Sequence, residues 1–172
     1  NLSRSASAGG NEVGPVDLNT VINDVLSLLG HQFELHHVKV RLELKATPVI
    51  VLGMEHKLQQ VFLNLFLNAK DAMPKGGWVS VITRIDNGKA VAEVADTGSG
   101  IPSKHLTRIY DPFFTTKATG QGTGLGLSII YGIVREHDGL IDCESVIGQG
   151  TRFILKFPPQ SVERQTRAAQ RS

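Results

Sequence analysis

Val38, Val40, Leu42 and Leu44 alternate with Lys39, Arg41, Glu43 and Lys45, which puts apolar and charged side chains on opposite faces of an extended chain. Such a strand belongs to a sheet with one face buried and the other in water, so the covering helices lie on one side. The flanking patterns supply those helices. Asp17 is a candidate N-cap for a helix carrying Leu18, Val21, Ile22, Val25, Leu26 and Leu29, ending at Gly30 or continuing to Leu35. A short strand, Val49 to Leu52, precedes a helix from Met54 to Met73 that Pro74 and Gly76-Gly77 stop. Trp78–Ile85 and Ala90–Ala95 form a hairpin around Asp86-Asn87-Gly88. Pro102–Tyr110 predicts a short helix and Leu125–His137 a longer one, and a second hairpin runs from Leu140–Val146 to Thr151–Phe157. The expected fold is an α/β (α+β) two-layer sandwich: a mixed, mostly antiparallel sheet of about five or six strands, with about three helices on one face.

A chain of 172 residues fits one domain with a substantial core. A net charge of +2 without a lysine or arginine cluster gives no reason to expect nucleic acid or a membrane surface as partner. Cys143 is the sole cysteine, so no internal disulfide forms and a reducing, cytoplasmic setting is expected. No apolar run reaches the length of a membrane span, and the opening residues lack signal-peptide order. Residues 1–15, rich in Ser and Gly, read as a flexible linker, 16–158 as one catalytic-size unit, and 159–172 as a disordered tail.

Several segments carry chemistry. Asn64 and Asn68 share one face of an otherwise apolar helix, where an unbonded amide costs a few kcal/mol. A pair on one face reads as a polar stripe toward a ligand cleft, and amide oxygens suit Mg²⁺. Asp96 ends a strand and enters a turn with Gly98 and Gly100. Its carboxylate can accept from an exocyclic amine while the glycines let a flat base approach. Gly122-Thr123-Gly124-Leu125-Gly126 precedes a helix, whose free N–H groups and dipole favour phosphate. It is neither a Walker A loop nor a dinucleotide fingerprint, because Gly-Lys-Ser/Thr is missing and no strand leads into it. Lys117 can add charge there. The irregular stretch of about 103–124 has the length of a lid, with Asp111-Pro112-Phe113-Phe114 as a candidate anchor.

Asn64…Asn68, Asp96-x-Gly-x-Gly, Asp111-Pro-Phe-Phe, Gly122-x-Gly-x-Gly and Gly148-x-Gly-Thr resemble, in order, the N, G1, F, G2 and G3 boxes of the ATP-binding domain of sensor histidine kinases. These kinases belong to the GHKL superfamily with gyrase-type ATPases, and the resemblance spans roughly 16–158. LNLFLNAKDAMPKGG and DPFFTTK are most similar to the nitrogen-regulation branch.

The resemblance implies the Bergerat-type ATP-binding fold. It also implies that Asn68 ligates Mg²⁺ with Asn64 in support, that Asp96 meets the adenine amino group, and that Gly98, Gly100 and Ile101 shape that wall. Thr116, Lys117 and Gly122 to Leu127 would cover the phosphates, and Thr151 would assist Asp96. Two positions depart from the pattern. Where many relatives have a basic residue after the second Asn, this chain has Asp71 with Lys70 beside it, so which cation reaches the phosphates stays open. Related hydrolases carry Glu where Asn64 stands, which favours phosphoryl transfer over hydrolysis.

The implied activity is transfer from Mg-ATP to a histidine on a separate upstream helical hairpin, with a response regulator downstream. An isolated monomer and a homodimeric parent are expected. His137 is expected to be structural, and His31, His36 and His37 lack a metal-ligand pattern. A GHKL-type ATPase, a protein serine kinase and a nucleotide-binding pseudokinase are the competing readings. An aspartic protease, suggested by Asp96-Thr97-Gly98, conflicts with the helices.

Overall fold

Asp17 ends strand β1 (Gly14–Asp17) and caps helix α1 (Leu18–Leu35). One carboxylate oxygen accepts the N–H of Asn19 at 3.0 Å and, from a distant segment, that of Val49 at 3.0 Å. A single side chain thus fixes where the helix starts and what lies beside it. The computed structural model describes residues 12–110 and 125–160. Gly30 lies within α1, which continues to Leu35.

β1 pairs antiparallel with β3 (Ile50–Gly53) in a separate two-stranded sheet. The linker expected through residue 15 therefore ends earlier, because Gly14 and Pro15 are already paired with Gly53 and Leu52.

The main sheet has five strands in the order β2 (Val38–Glu43), β4 (Gly77–Asp86), β5 (Lys89–Asp96), β7 (Gly150–Phe157) and β6 (Leu140–Val146). β2 runs parallel to β4, and the other pairings are antiparallel. A parallel pair needs a crossover, and β3 with helix α2 (Glu55–Asp71) supplies it. β2 is an edge strand, so its apolar face is only partly covered: Val38 is buried but Leu42 stays 42% exposed.

Helices α1, α2 and α3 (Leu125–Glu136) lie on one side of this sheet. Leu18, Ile22, Phe62, Phe66, Leu155 and Phe157 are fully buried between the layers, and Phe33 meets Phe66 edge-on at 6.4 Å. On the opposite sheet face, Lys39 and Arg41 lie over the Trp78 ring, and Glu93 bridges Arg84 and Arg152. Burial acts to raise the Glu93 pKa, but the two guanidinium groups outweigh it and hold the carboxyl below its ordinary value.

α3 is locked at its C-terminal end by His137. The Nδ1 of this buried ring lies 2.8 Å from the Ile133 carbonyl, and Nε2 is 3.0 Å from the Met54 N–H. Since the Met54 N–H can only donate, Nε2 is the acceptor and Nδ1 carries the proton. The fit is tight, for a Cβ at Gly53 would stand 2.3 Å from the imidazole.

The short helix expected over Pro102–Tyr110 is instead a 3₁₀ turn, Ser103–His105, followed by further turns. What holds this stretch is side-chain burial: Ile109 enters the core and Tyr110 stacks on Tyr131 at 5.1 Å. Residues 111–124 of the expected lid, with Asp111-Pro112-Phe113-Phe114, lie outside the described residues. Among the described residues, no helix is long and apolar enough to cross a membrane.

Candidate functional site

The C-terminal half of α2 forms one wall of the site, because its apolar positions face the core and leave Asn64 and Asn68 half-buried beside it. Among the described residues, the buried Nδ2 of Asn68 has no hydrogen-bond partner. A buried amide left unsatisfied calls for a partner, which a water, an ion or a ligand can supply. α3 begins opposite: a Cβ on Gly126 would stand 3.7 Å from Asn68 Oδ1. The start of a helix, the end that favours anions, thus faces Asn68.

The second wall is the loop after β5, which is fastened to α2. The Ser99 N–H donates to the Ala72 carbonyl at 3.1 Å, and a Cβ at Gly98 would come 2.5 Å from the same oxygen. Thr97 turns away from the site, its Oγ1 accepting the Trp78 N–H at 3.1 Å. Asp96 therefore sits where the end of a strand meets the end of a helix. Its carboxylate accepts the Gly98 N–H at 2.8 Å and a backbone hydrogen bond from Thr151. Burial raises its pKa, and the two backbone bonds only partly oppose this.

The β6–β7 turn closes the same side. The Gly148 N–H donates to the Ser99 carbonyl at 2.8 Å, and a Cβ at Gly150 would lie 1.9 Å from the Asp96 carbonyl oxygen. Gly100, at φ +80°, passes equally close to Val146, where a Cβ would be 2.3 Å from a carbonyl oxygen. These glycines are required by backbone against backbone, so the turn and the Asp96 loop form one surface. Cys143 lies near it as an inert thiol: burial, and then the nearby Asp96 carboxylate, push it up to about 12.

The structure joins Asp96, Gly98 and Thr151 through hydrogen bonds, Ile101 and Thr151 through Ser145, and Asn68 to Gly126 by proximity; Asn64 lies one turn before Asn68 on α2, and Leu127 follows Gly126 on α3. Lys70 and Asp71 are on the same helix but pair with one another at 3.4 Å. Thr116, Lys117, Gly122, Thr123 and Gly124 lie outside the described residues.

Residues 53–161 match the family described as histidine kinase-, DNA gyrase B-, and HSP90-like ATPase. The chain belongs to the histidine kinase-type ATPase family.

It is similar to sporulation kinase A of Bacillus subtilis (38% identity, 83% of this chain, 23% of the relative). It is also similar to the sensor histidine kinase ZraS of Escherichia coli O157:H7 (38%, 83% and 31%). The sensor kinase CckA of Brucella abortus is 45% identical over 62% of this chain and 13% of its own length. The chain thus spans less than a third of the length of each of these three. Among solved structures, the catalytic domain of the histidine kinase ThkA superposes with a TM-score of 0.77 at 30% identity, covering 86% of this chain and 95% of that domain. ThkA has also been solved in complex with the response regulator TrrA (TM-score 0.73, 26% identity, 86% of this chain and 42% of ThkA).

Within this histidine kinase-type ATPase domain, two contributors were not foreseen. One is the Ala72 carbonyl, which carries no sequence signal. The other is Ser145, whose Oγ accepts the Ile101 N–H at 2.7 Å. Ser145 follows Ile141 and Cys143 on the inward side of β6, and a polar residue at an inward strand position is a readable signal.

Proposed function

We propose that the chain binds Mg-ATP in this site and donates the γ-phosphoryl group to a histidine on a separate domain, as the kinase part of a two-component system. The observation that carries this reading is the meeting of Asn68 with the start of α3 at Gly126, on the helix whose end at Ala72 is tied to the loop that follows Asp96. Asp96 accepts a hydrogen bond from the adenine amine, and the N-terminal end of α3, where the helix dipole favours anions, holds phosphate oxygens. Mg²⁺ fits this place because neutral amide oxygens on Asn64 and Asn68 suit a hard ion that takes its charge balance from phosphates. When bound, the ion offsets the charge of the transferring group.

Positions 64 and 68 offer amides where water activation would need a carboxylate, which supports transfer over hydrolysis. Catalysis is then a matter of alignment: the site holds the γ-phosphorus in line with an imidazole nitrogen that another domain presents. Lys117 and Gly122 to Gly124 complete the phosphate cover. The phosphoacceptor is an upstream helical hairpin, which also supplies the dimer interface of a cytoplasmic kinase module. The ThkA–TrrA complex supports a response regulator as the downstream partner.

The test is to mix the chain with ATP labelled in the γ position and a separately supplied histidine hairpin domain. Acid-labile label on the hairpin is the expected result. Rapid release of free phosphate with no labelled hairpin contradicts it and indicates a hydrolase.

A further inference from the structure

The Ser145 hydroxyl joins three segments at one atom. Its Oγ accepts the Ile101 N–H at 2.7 Å, donates to the Gly150 carbonyl at 3.0 Å, and lies 2.8 Å from Thr151 Oγ1. A serine hydroxyl has one proton and two lone pairs. With its proton on Gly150 and one lone pair taken by Ile101, Ser145 can meet the third contact only as an acceptor. The proton in that contact therefore comes from Thr151. This is the one assignment that satisfies all three contacts, and it leaves the Thr151 oxygen with lone pairs alone for anything else it meets.

Thr151 is the cross-strand partner of Asp96, and its backbone hydrogen-bonds the Asp96 carboxylate. Directly opposed residues bring their side chains together on one face of the sheet. Asp96 and Thr151 thus form a single wall, and the proton that could have varied its character is held from behind by Ser145.

We propose that Ser145 is a specificity-determining positioning residue: by taking up the Thr151 proton it makes the Asp96–Thr151 wall acceptor-only, which selects an amine over a carbonyl at position 6 of a bound purine. This deepens the adenine-nucleotide reading above and rests on it. A 6-amino purine brings protons to lone pairs, directly or through a water held on the wall. A 6-oxo purine brings its own lone pairs and finds no donor, so buried acceptors are left facing each other. Without the Ser145 oxygen, the Thr151 proton is released to the pocket and can supply that donor.

The test is calorimetric titration of the chain with ADP and with IDP, in the wild type and in the Ser145→Ala and Ser145→Thr variants, with thermal unfolding recorded for each. The wild type should prefer ADP by ~100-fold. Ser145→Ala should compress that preference by about tenfold, the size of one hydrogen bond, through weaker ADP and stronger IDP binding. Ser145→Thr keeps a hydroxyl and should restore the preference. A role confined to holding the turn would weaken both nucleotides by the same factor and leave the ratio untouched.

If Ser145→Ala does not fold, Ser145→Cys carries the test, since a thiol is a weak acceptor of similar size and the same compression is expected. An unchanged ratio in either folded variant overturns the role of Ser145 while leaving the nucleotide site standing. Failure of the wild type to bind ADP at all overturns the nucleotide reading, and the role of Ser145 with it.

Discussion

Asn68 of α2 meets Gly126 in the first turn of α3: a Cβ at Gly126 would stand 3.7 Å from the amide oxygen and 3.9 Å from the amide nitrogen. That is ordinary van der Waals contact, so a methyl group fits the protein without a clash. The absence of a side chain there leaves room for a ligand rather than relieving a strain. Gly126→Ala should therefore fold normally, gaining up to about 1 kcal/mol of helix stability. Its methyl group would stand where phosphates approach α3, so ADP affinity should fall about tenfold, near 1.4 kcal/mol. A melting curve and a calorimetric titration check the two halves together. Lost stability with unchanged affinity would mean that the glycine serves packing instead.

Asn68→Ala separates metal dependence from folding. The Nδ2 it removes has no partner among the described residues, so the change forfeits no hydrogen bond there, and the melting temperature should hold within a few degrees. Wild-type affinity for ATP should drop when EDTA removes Mg²⁺. In Asn68→Ala the two conditions should give the same, weaker affinity, to within about threefold, or ~0.7 kcal/mol. A variant that still responds fully to Mg²⁺ would move the metal site elsewhere.

His137 gives the fold a pH dependence of predictable sign. Burial lowers its pKa in the folded state, and the Met54 N–H aimed at Nε2 at 3.0 Å has no place for a second proton. The unfolded chain, with an ordinary value of 6.5, then binds the proton more readily than the folded one. Stability from this group is complete above that value and is lost as pH falls from it toward the folded pKa. His137→Phe should lose about 1–3 kcal/mol at neutral pH, because the Met54 N–H is left unsatisfied. It should also show a flatter decline in stability on acidification than the wild type. Parallel denaturant titrations of both proteins at several pH values check this, and equal slopes would contradict a lowered folded-state pKa for His137.

Much of the fold could be read in advance because its signals are local. Asp17 as a cap, the alternation from Val38 to Leu44 and the Asp86-Asn87-Gly88 turn each depend on neighbours within a few residues. What escaped depends on distant partners. Gly14 and Pro15 read as linker because the strand they open exists only by pairing with Ile50–Gly53. The segment after Pro102 had helical composition, yet burial of Ile109 and the Tyr110–Tyr131 stack hold it as turns. At the site, Asp96 and Asn68 stood out as polar groups in apolar surroundings. The reasons for Gly98 and Gly150, two carbonyl oxygens at clash distance, appear only in three dimensions.

Asp96 should trade stability for binding. Its folded-state pKa is raised by burial, so the folded chain holds the proton more tightly than the unfolded one, and stability falls as pH rises through that range. Asp96→Asn removes a buried charge yet keeps an oxygen to accept the Gly98 N–H, so the ligand-free protein should melt no lower than wild type. Nucleotide binding moves the other way, since the hydrogen bond to the adenine amine loses its charge. Acidification of the wild type should likewise weaken binding, beginning above the ordinary aspartate range, and Asp96→Asn should lack that response.

Whether these walls form one adenine-nucleotide site is tested most directly by titrating ADP into the wild-type chain and into Asp96→Asn by calorimetry at neutral pH. The predicted result is saturable one-to-one binding in the wild type, weakened by roughly 1.5–3 kcal/mol in the variant although it folds as well. Equal affinity in the two proteins would contradict the site.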